Sequence, residues 1–156
     1  MANGNSVPTT GRAPQSPICP AVPASRPVGT TGQVGAAIRD PLGVYPATVA
    51  RDQALAAAAA AYPNLRGIDD ARDAFRHFYW VSAMTRLLGP DRALAFANSH
   101  EANFPLQNAS DARSRQMDTY NNAVAIRMTL DPRSSGVPTA DLAQRAVQNG
   151  CVRTLK

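Results

Sequence analysis

Asp70-Ala71-Arg72-Asp73-Ala74-Phe75-Arg76-His77-Phe78-Tyr79-Trp80 opens the segment whose reading decides the fold. Ala71, Phe75, Phe78, Val81, Thr85 and Leu88 recur at helical spacing, so one side of the segment is a mainly apolar stripe. Asp69 or Asp70 places negative charge in the first turn, where free amide groups and the helix dipole favour it, and Gly89-Pro90 stops the helix. The spacing predicts a helix from about residue 69 to residue 88. A second face carries Asp73 and His77, four residues apart and so neighbours on one side, with Trp80 beside them.

Downstream, Pro90 or Asp91 starts another helix that runs towards His100 and Glu101, and Asn103-Phe104-Pro105 turns the chain. Ser110 or Asp111 can cap the next, in which Met117, Tyr120, Val124, Ala125 and Met128 face inward and Asp131-Pro132 closes the segment. Thr139 can cap a short last helix from Ala140 to Gln148, ending at Asn149-Gly150. Upstream, Pro46 fits the first position of an alanine-rich helix over Ala47 to Ala61, which either packs closely or serves as a spacer. Tyr62-Pro63-Asn64 breaks it, because the residue before a proline is pushed out of helical conformation.

Residues 1–46 are rich in Pro, Gly, Ser, Thr and Ala, with prolines from Pro8 to Pro46 interrupting any periodicity. Such a stretch cannot bury enough apolar surface to offset its ordering entropy, so it reads as an extended linker or as an arm that docks on a partner. No alternating β-branched run and no repeat is present. The expectation is all-α: a small orthogonal helical domain of four to five helices over residues 47–156, preceded by the extended arm of residues 1–46.

At 156 residues the chain can hold one modest core. The formal charge of +5 suits anionic partners such as nucleic acid, an envelope polymer or an acidic protein, although 16 bases stand against 11 acids. Fifteen of the 16 cationic side chains are arginines, which fits a coding bias or a preference for bidentate anion contacts. Nucleic acid lacks a stacking-aromatic or recognition-helix pattern in its support. Cys19 and Cys151 can form a disulfide tying the arm to the C-terminal end, or remain free thiols. No run approaches the length of a membrane span, and the N-terminus lacks the basic start and apolar stretch of a secretory signal.

Histidine occurs twice, at His77 and His100, and glutamate once, at Glu101. Asp73 can hold the His77 imidazole by one ring nitrogen and leave the other free, which is the orienting half of a general-base arrangement or a pair behind a metal ligand. A histidine paired for stability alone fits the same spacing. Asp118, Asn121 and Asn122 share a helix face, and adjacent mid-helix asparagines cost propensity, so either a polar network or a site that binds substrate or water compensates. His77, His100, Glu101 and Asp118 could supply nitrogen and oxygen ligands to a divalent metal, but no close-spaced His-Glu-x-x-His motif is present. There is no Gly-x-Ser-x-Gly elbow, phosphate-cradling glycine loop or Cys-x-x-Cys, which leaves Ser82, Ser99 and Ser110 as nucleophiles only by elimination. Arginines 72, 76, 113, 115 and 127 could form a basic rim or a solvated face.

The ordered blocks Asp73-Ala74-x-Arg76-His77-x-x-Trp80, Ser99-His100-Glu101 and Met117-Asp118-x-x-Asn121-Asn122 resemble an uncharacterised bacterial and phage helical domain family, often found at the ends of secreted or toxin-like proteins. The resemblance covers about residues 67–128 and implies that Arg76, His77, His100, Glu101, Asp118, Asn121 and Asn122 converge in one cleft. It implies no activity.

Together these readings lead to an effector-like or phage-associated hydrolase of an envelope or other anionic polymer. His77 or Glu101 is the expected general base, Asp73 the group orienting His77, and Asp118, Asn121 and Asn122 the groups positioning water or substrate, with Arg76, His100 and Trp80 in the binding surface. An immunity-type acidic protein is the matching partner, and delivery outside the producing cell or attachment to a virion the matching location, with the cytoplasm left open. The competing expectation is a non-enzymatic assembly protein whose arm docks on a neighbour.

Overall fold

The Asp70 side chain starts the central helix by accepting hydrogen bonds from the backbone N–H of Asp73 at 3.0 Å and of Gly67 at 2.9 Å. Gly89, at a left-handed φ of 85°, ends it and leads directly into the next helix through Pro90. In this computed structural model the described residues are 19–22, 32–103 and 106–156, and among them the domain is all-α with no strand. The helices are α1 (Gln33–Arg39), α2 (Pro41–Ala61), α3 (Ala71–Leu88), α4 (Pro90–Ala102), α5 (Ala109–Leu130) and α6 (Thr139–Gln148), with a 3-10 turn at Pro132–Ser134.

α3 packs against α2, α4, α5 and α6. Its expected stripe holds: Phe75, Phe78, Val81 and Thr85 are buried, and Ala71 and Leu88 half-buried. Burying each phenylalanine contributes roughly 1.5 to 3 kcal/mol. The second face does not stay open, however, because Asp73, His77 and Trp80 are buried as well. α3 is the central helix, packed on four others, so Asp73 and His77 on its second face sit inside the domain while Arg86 and Leu87 at its end stay exposed.

The extended arm ends earlier than its composition suggests. Helical structure begins at Gln33, so α1 and the first turn and a half of α2 lie where the sequence predicts extended chain up to Pro46. Asp40 makes this possible by capping α2 through the Gly43 N–H and gripping Arg92 on α4 with hydrogen bonds of 2.6 and 2.7 Å. Pro46 sits inside α2, where its missing donor spares only the carbonyl of Leu42, a residue at the exposed end of the helix. Gly43 is required by close approach, since a Cβ there would stand 2.6 Å from the Phe96 ring. The alanine helix is a packing helix and not a spacer: Ala47, Ala50, Ala54 and Ala58 are buried, and α2 lies against α3.

Cys19 and Cys151 are joined in a disulfide. Beside it the Arg127 guanidinium donates to the Ala21 carbonyl, and Val22 packs on the core. The rest of the arm, residues 1–18 and 23–31, lies outside the described residues. At the other end the chain returns across α5 to α3: Leu155 and Lys156 donate backbone N–H groups to the Asp69 carbonyl at 2.8 and 3.1 Å. No helix among the described residues is long and apolar enough to cross a membrane.

Candidate active site

Because α3, α4 and α5 pack on one another, the three polar blocks meet at the N-terminal half of α3. Asp73 and His77 come from α3, His100 and Glu101 from α4, and Asp118 from α5. The His77 side chain is only 6% exposed, and its Nε2 stands 3.6 Å from Asp73 Oδ1 and 3.7 Å from Asp118 Oδ1. Neither distance is a hydrogen bond. Its Nδ1 has no partner among the described residues, so the expected arrangement, an aspartate holding one ring nitrogen to free the other, is not what forms. The His100 ring lies 6.1 Å from that of His77 and edge-on to Trp80 at 5.4 Å, while Trp80 Nε1 donates to the Ala47 carbonyl on α2 at 3.1 Å.

The carboxylate of Asp73 is held from outside. Arg76 pairs with its Oδ1, and the Asp69 N–H donates to Oδ2 at 2.8 Å. Asp69 adopts a left-handed φ of 56° to aim that N–H, a conformation aspartate tolerates better than most residues. The C-terminal tail bonded to its carbonyl braces the same residue from the next peptide.

Two clefts reach the cluster. One, of about 400 Å³, is lined by Glu101, Leu106, Gln107, Asp111, Ser114, Arg115 and Asp118. The other, of about 390 Å³, is lined by Arg51, Ala54, Leu55, Arg76, His77, Trp80 and His100. Each therefore carries arginine at its wall and a cluster residue at its base.

Burial dominates the electrostatics. It raises the pKa of Asp73 against the opposing pull of Arg76. It raises those of Glu101 and Asp118 further, and each gains an added upward push from neighbouring carboxylates, because like charges in one dry site cannot all ionise. His77 is driven the other way, to about 3, by burial first and then by Arg76 and His100. With its pKa that low, the His77 imidazole is neutral at physiological pH and only weakly basic, whereas burial leaves the Glu101 carboxylate a stronger base than an ordinary one. His100 is lowered too, by burial, Arg76 and Arg51.

Not every predicted site residue belongs here. Both amide atoms of Asn121 bond the Arg153 backbone, Nδ2 donating at 3.0 Å and Oδ1 accepting at 2.8 Å, so this residue clamps the C-terminal tail. Arg153 in turn stacks its guanidinium 3.7 Å from the Tyr120 ring centroid. Asn122 is fully buried one turn from Asp118, with neither amide atom partnered among the described residues. Of the proposed basic rim only Arg76 and Arg115 line a cleft; Arg72 bonds the Leu65 carbonyl, Arg127 holds the arm and Arg113 is exposed. Ser82 bonds Thr129, Ser99 donates to the Phe96 carbonyl and Ser110 is exposed, so none of the three serines lines either cleft. Sequence reasoning missed Arg51, whose helix lies outside the motif blocks. A lone pair of charges, Arg51-Asp52, in an alanine run was the available signal.

Fold and site define a helical domain built around a buried cluster of three carboxylates and a histidine. The chain belongs to the family described as a domain of unknown function, DUF6973, whose model matches residues 34–150. That span takes in nearly all of α1, together with α2 and α6, well beyond the three blocks. No curated protein and no solved structure matches the chain.

Proposed function

We propose that this protein is a hydrolase acting on an anionic polymer, with a cell-envelope polymer as the first candidate, and that it works as an effector delivered outside the producing cell. One observation carries the reading: buried Asp73, His77 and Glu101 and half-buried Asp118, from three helices, gather beside two clefts, Glu101 and Asp118 lining one with Arg115 and His77 lining the other with Arg51 and Arg76. Burying four ionisable groups costs stability, and a fold retains such a cost where chemistry needs it.

In this reading the arginines bind the polymer's negative charges, and Glu101 is the base. Glu101 takes a proton from a water molecule as the water oxygen bonds to the electrophilic atom of the backbone. The bond to the leaving group then breaks, and the leaving oxygen or nitrogen receives the proton back from Glu101. The Cys19–Cys151 disulfide supports a non-reducing destination.

The test is Glu101→Gln, which keeps shape and removes the base. Wild-type protein is expected to release fragments from one of a panel of anionic envelope polymers and to inhibit growth when directed into the compartment holding that polymer, while the folded variant does neither. Equal potency of the two would overturn the reading. A non-enzymatic interaction protein is the second reading, favoured by Ile38, Leu42 and Tyr45, which stay exposed on α1 and α2.

A further inference from the structure

The polar atoms around His77 are unsatisfied in a patterned way. Asp118 Oδ1, Glu101 Oε1, His77 Nδ1 and both amide atoms of Asn122 are buried without a hydrogen-bond partner among the described residues. Buried polar atoms are nearly always paired, and where several orphans gather in one place an ion or ordered water is the usual reason. His77 sharpens the choice. Its side chain is more than nine-tenths buried, it makes no hydrogen bond among the described residues, and its Nε2 faces two carboxylate oxygens at 3.6 and 3.7 Å.

Those separations are those of ligands around a shared ion. Two donor atoms each 2.1 Å from a cation lie about 3.4 Å apart in a tetrahedron and about 3.6 Å apart at 120°. One ligand atom from each of Asp73, His77 and Asp118 lies within 4.8 Å of the others. We infer that Asp73, His77 and Asp118 hold a divalent transition-metal ion, Zn²⁺ or Mn²⁺, through His77 Nε2 and one carboxylate oxygen from each aspartate.

The surroundings fit this role. Imidazole with two carboxylates is a mixed nitrogen and oxygen donor set, which favours these ions over Mg²⁺ or Ca²⁺. The Arg76 guanidinium and the Asp69 N–H orient the Asp73 carboxylate, as outer partners of metal ligands do. Three carboxylates meet there, faced by Arg76 and Arg115, and a divalent cation would balance charge beyond what these two arginines supply. The ion shares the site of the hydrolase reading and rests on that reading only for its task, which is to polarise the water or the scissile group while Glu101 handles the proton.

The experiment uses the full chain, purified, stripped with EDTA and titrated separately with Mn²⁺, Zn²⁺, Mg²⁺ and Ca²⁺ by calorimetry, with Mn²⁺ also followed by electron paramagnetic resonance. One transition ion per chain is expected, bound more tightly than Mg²⁺ or Ca²⁺. His77→Gln and Asp118→Asn, each shown to be folded by circular dichroism, should weaken binding at least tenfold. Glu101→Gln, which removes a nearby charge but no ligand, should weaken binding less than either ligand variant. Absence of saturable Mn²⁺ or Zn²⁺ binding at millimolar concentration by folded wild-type protein overturns the inference, and so does binding that both ligand variants leave unchanged. A chain that binds the ion at this site yet cleaves no polymer upholds the site and defeats the hydrolase reading alone.

Discussion

Replacing Asp118 by asparagine should make the metal-free protein more stable while removing a group the site depends on. The carboxylate oxygens of Asp73 and Asp118 that face His77 lie within 4.8 Å of each other. Two unit charges at that distance, at an effective dielectric constant of 20, repel by about 3.5 kcal/mol. Arg76 beside Asp73 offsets part of this, and Glu101 adds to it, so a gain of roughly 1 to 2 kcal/mol is expected where Asp118 would otherwise be ionised. The pH dependence has a fixed sign. Burial and the neighbouring carboxylates raise the pKa of Asp118 in the folded state, so the folded protein holds that proton more tightly than the unfolded chain does. The benefit to the wild type is complete below the ordinary carboxylate range, near pH 4, and is lost as pH rises towards the raised folded value. Asparagine does not titrate, so the variant's advantage should be small near pH 4 and grow as pH rises. Urea unfolding followed by circular dichroism in EDTA, at about pH 4 and about pH 8, measures it as a shift in midpoint at constant slope. A variant less stable than wild type by 1 kcal/mol or more at the higher pH would refute the reasoning, because it would make the Asp118 carboxylate a stabilising member of a structural network.

Other consequences follow from the same geometry. The Cys19–Cys151 bond closes a loop with a sequence separation of 132, for which chain entropy gives about 5 kcal/mol, so reduction or Cys19→Ser should lower the urea midpoint by an amount equal to about 3 to 5 kcal/mol; a loss under 1 kcal/mol would mean that the tie constrains little. Asn121→Ala removes both bonds to the Arg153 backbone and should cost about 1 to 3 kcal/mol. It should also speed amide exchange at Arg153 and Leu155 while metal binding persists; unchanged exchange would separate the asparagine from the tail. Phe78→Ala, at a position with no exposure, should cost about 3 to 5 kcal/mol and expose tryptophan fluorescence to quenchers, and a loss below 1 kcal/mol would contradict α3 as the centre of the core.

What could be read from residues alone had a physical limit. α3 was legible because its apolar period, acidic start and Gly89-Pro90 stop agree with one another. α1 was not, since Gln33–Arg39 is short and lies among prolines and glycines; it forms because it packs on α4 and because Asp40 bridges α2 to Arg92. The convergence of the three blocks was legible only through their joint resemblance. Spacing could place Asp73 beside His77 but could not bring Asp118 to the same Nε2, which requires α5 to pack on α3. Asn121 and Asn122 show the same limit at finer scale: neighbours on a helix point about 100° apart, and only packing decides that one clamps the tail while the other enters the interior.

That division bears on why the cluster persists. Asn121 is satisfied and stabilising, whereas Asn122, His77, Glu101 and Asp118 are buried with unmet bonding capacity in the same few turns. Selection for stability alone would replace such groups with apolar residues of similar volume, which is often neutral or favourable in a buried polar cluster. α3 could accept them, being already enclosed by alanine, phenylalanine and methionine. The domain gathers four ionisable side chains beside its core, braces one of them with a left-handed Asp69 and a returning tail, and leaves arginine-walled clefts beside them, an arrangement that suits the proposed binding of charge. The apolar stripe of α3 explains how the chain folds, and the opposite face of the same helix carries the side chains on which the proposed binding rests.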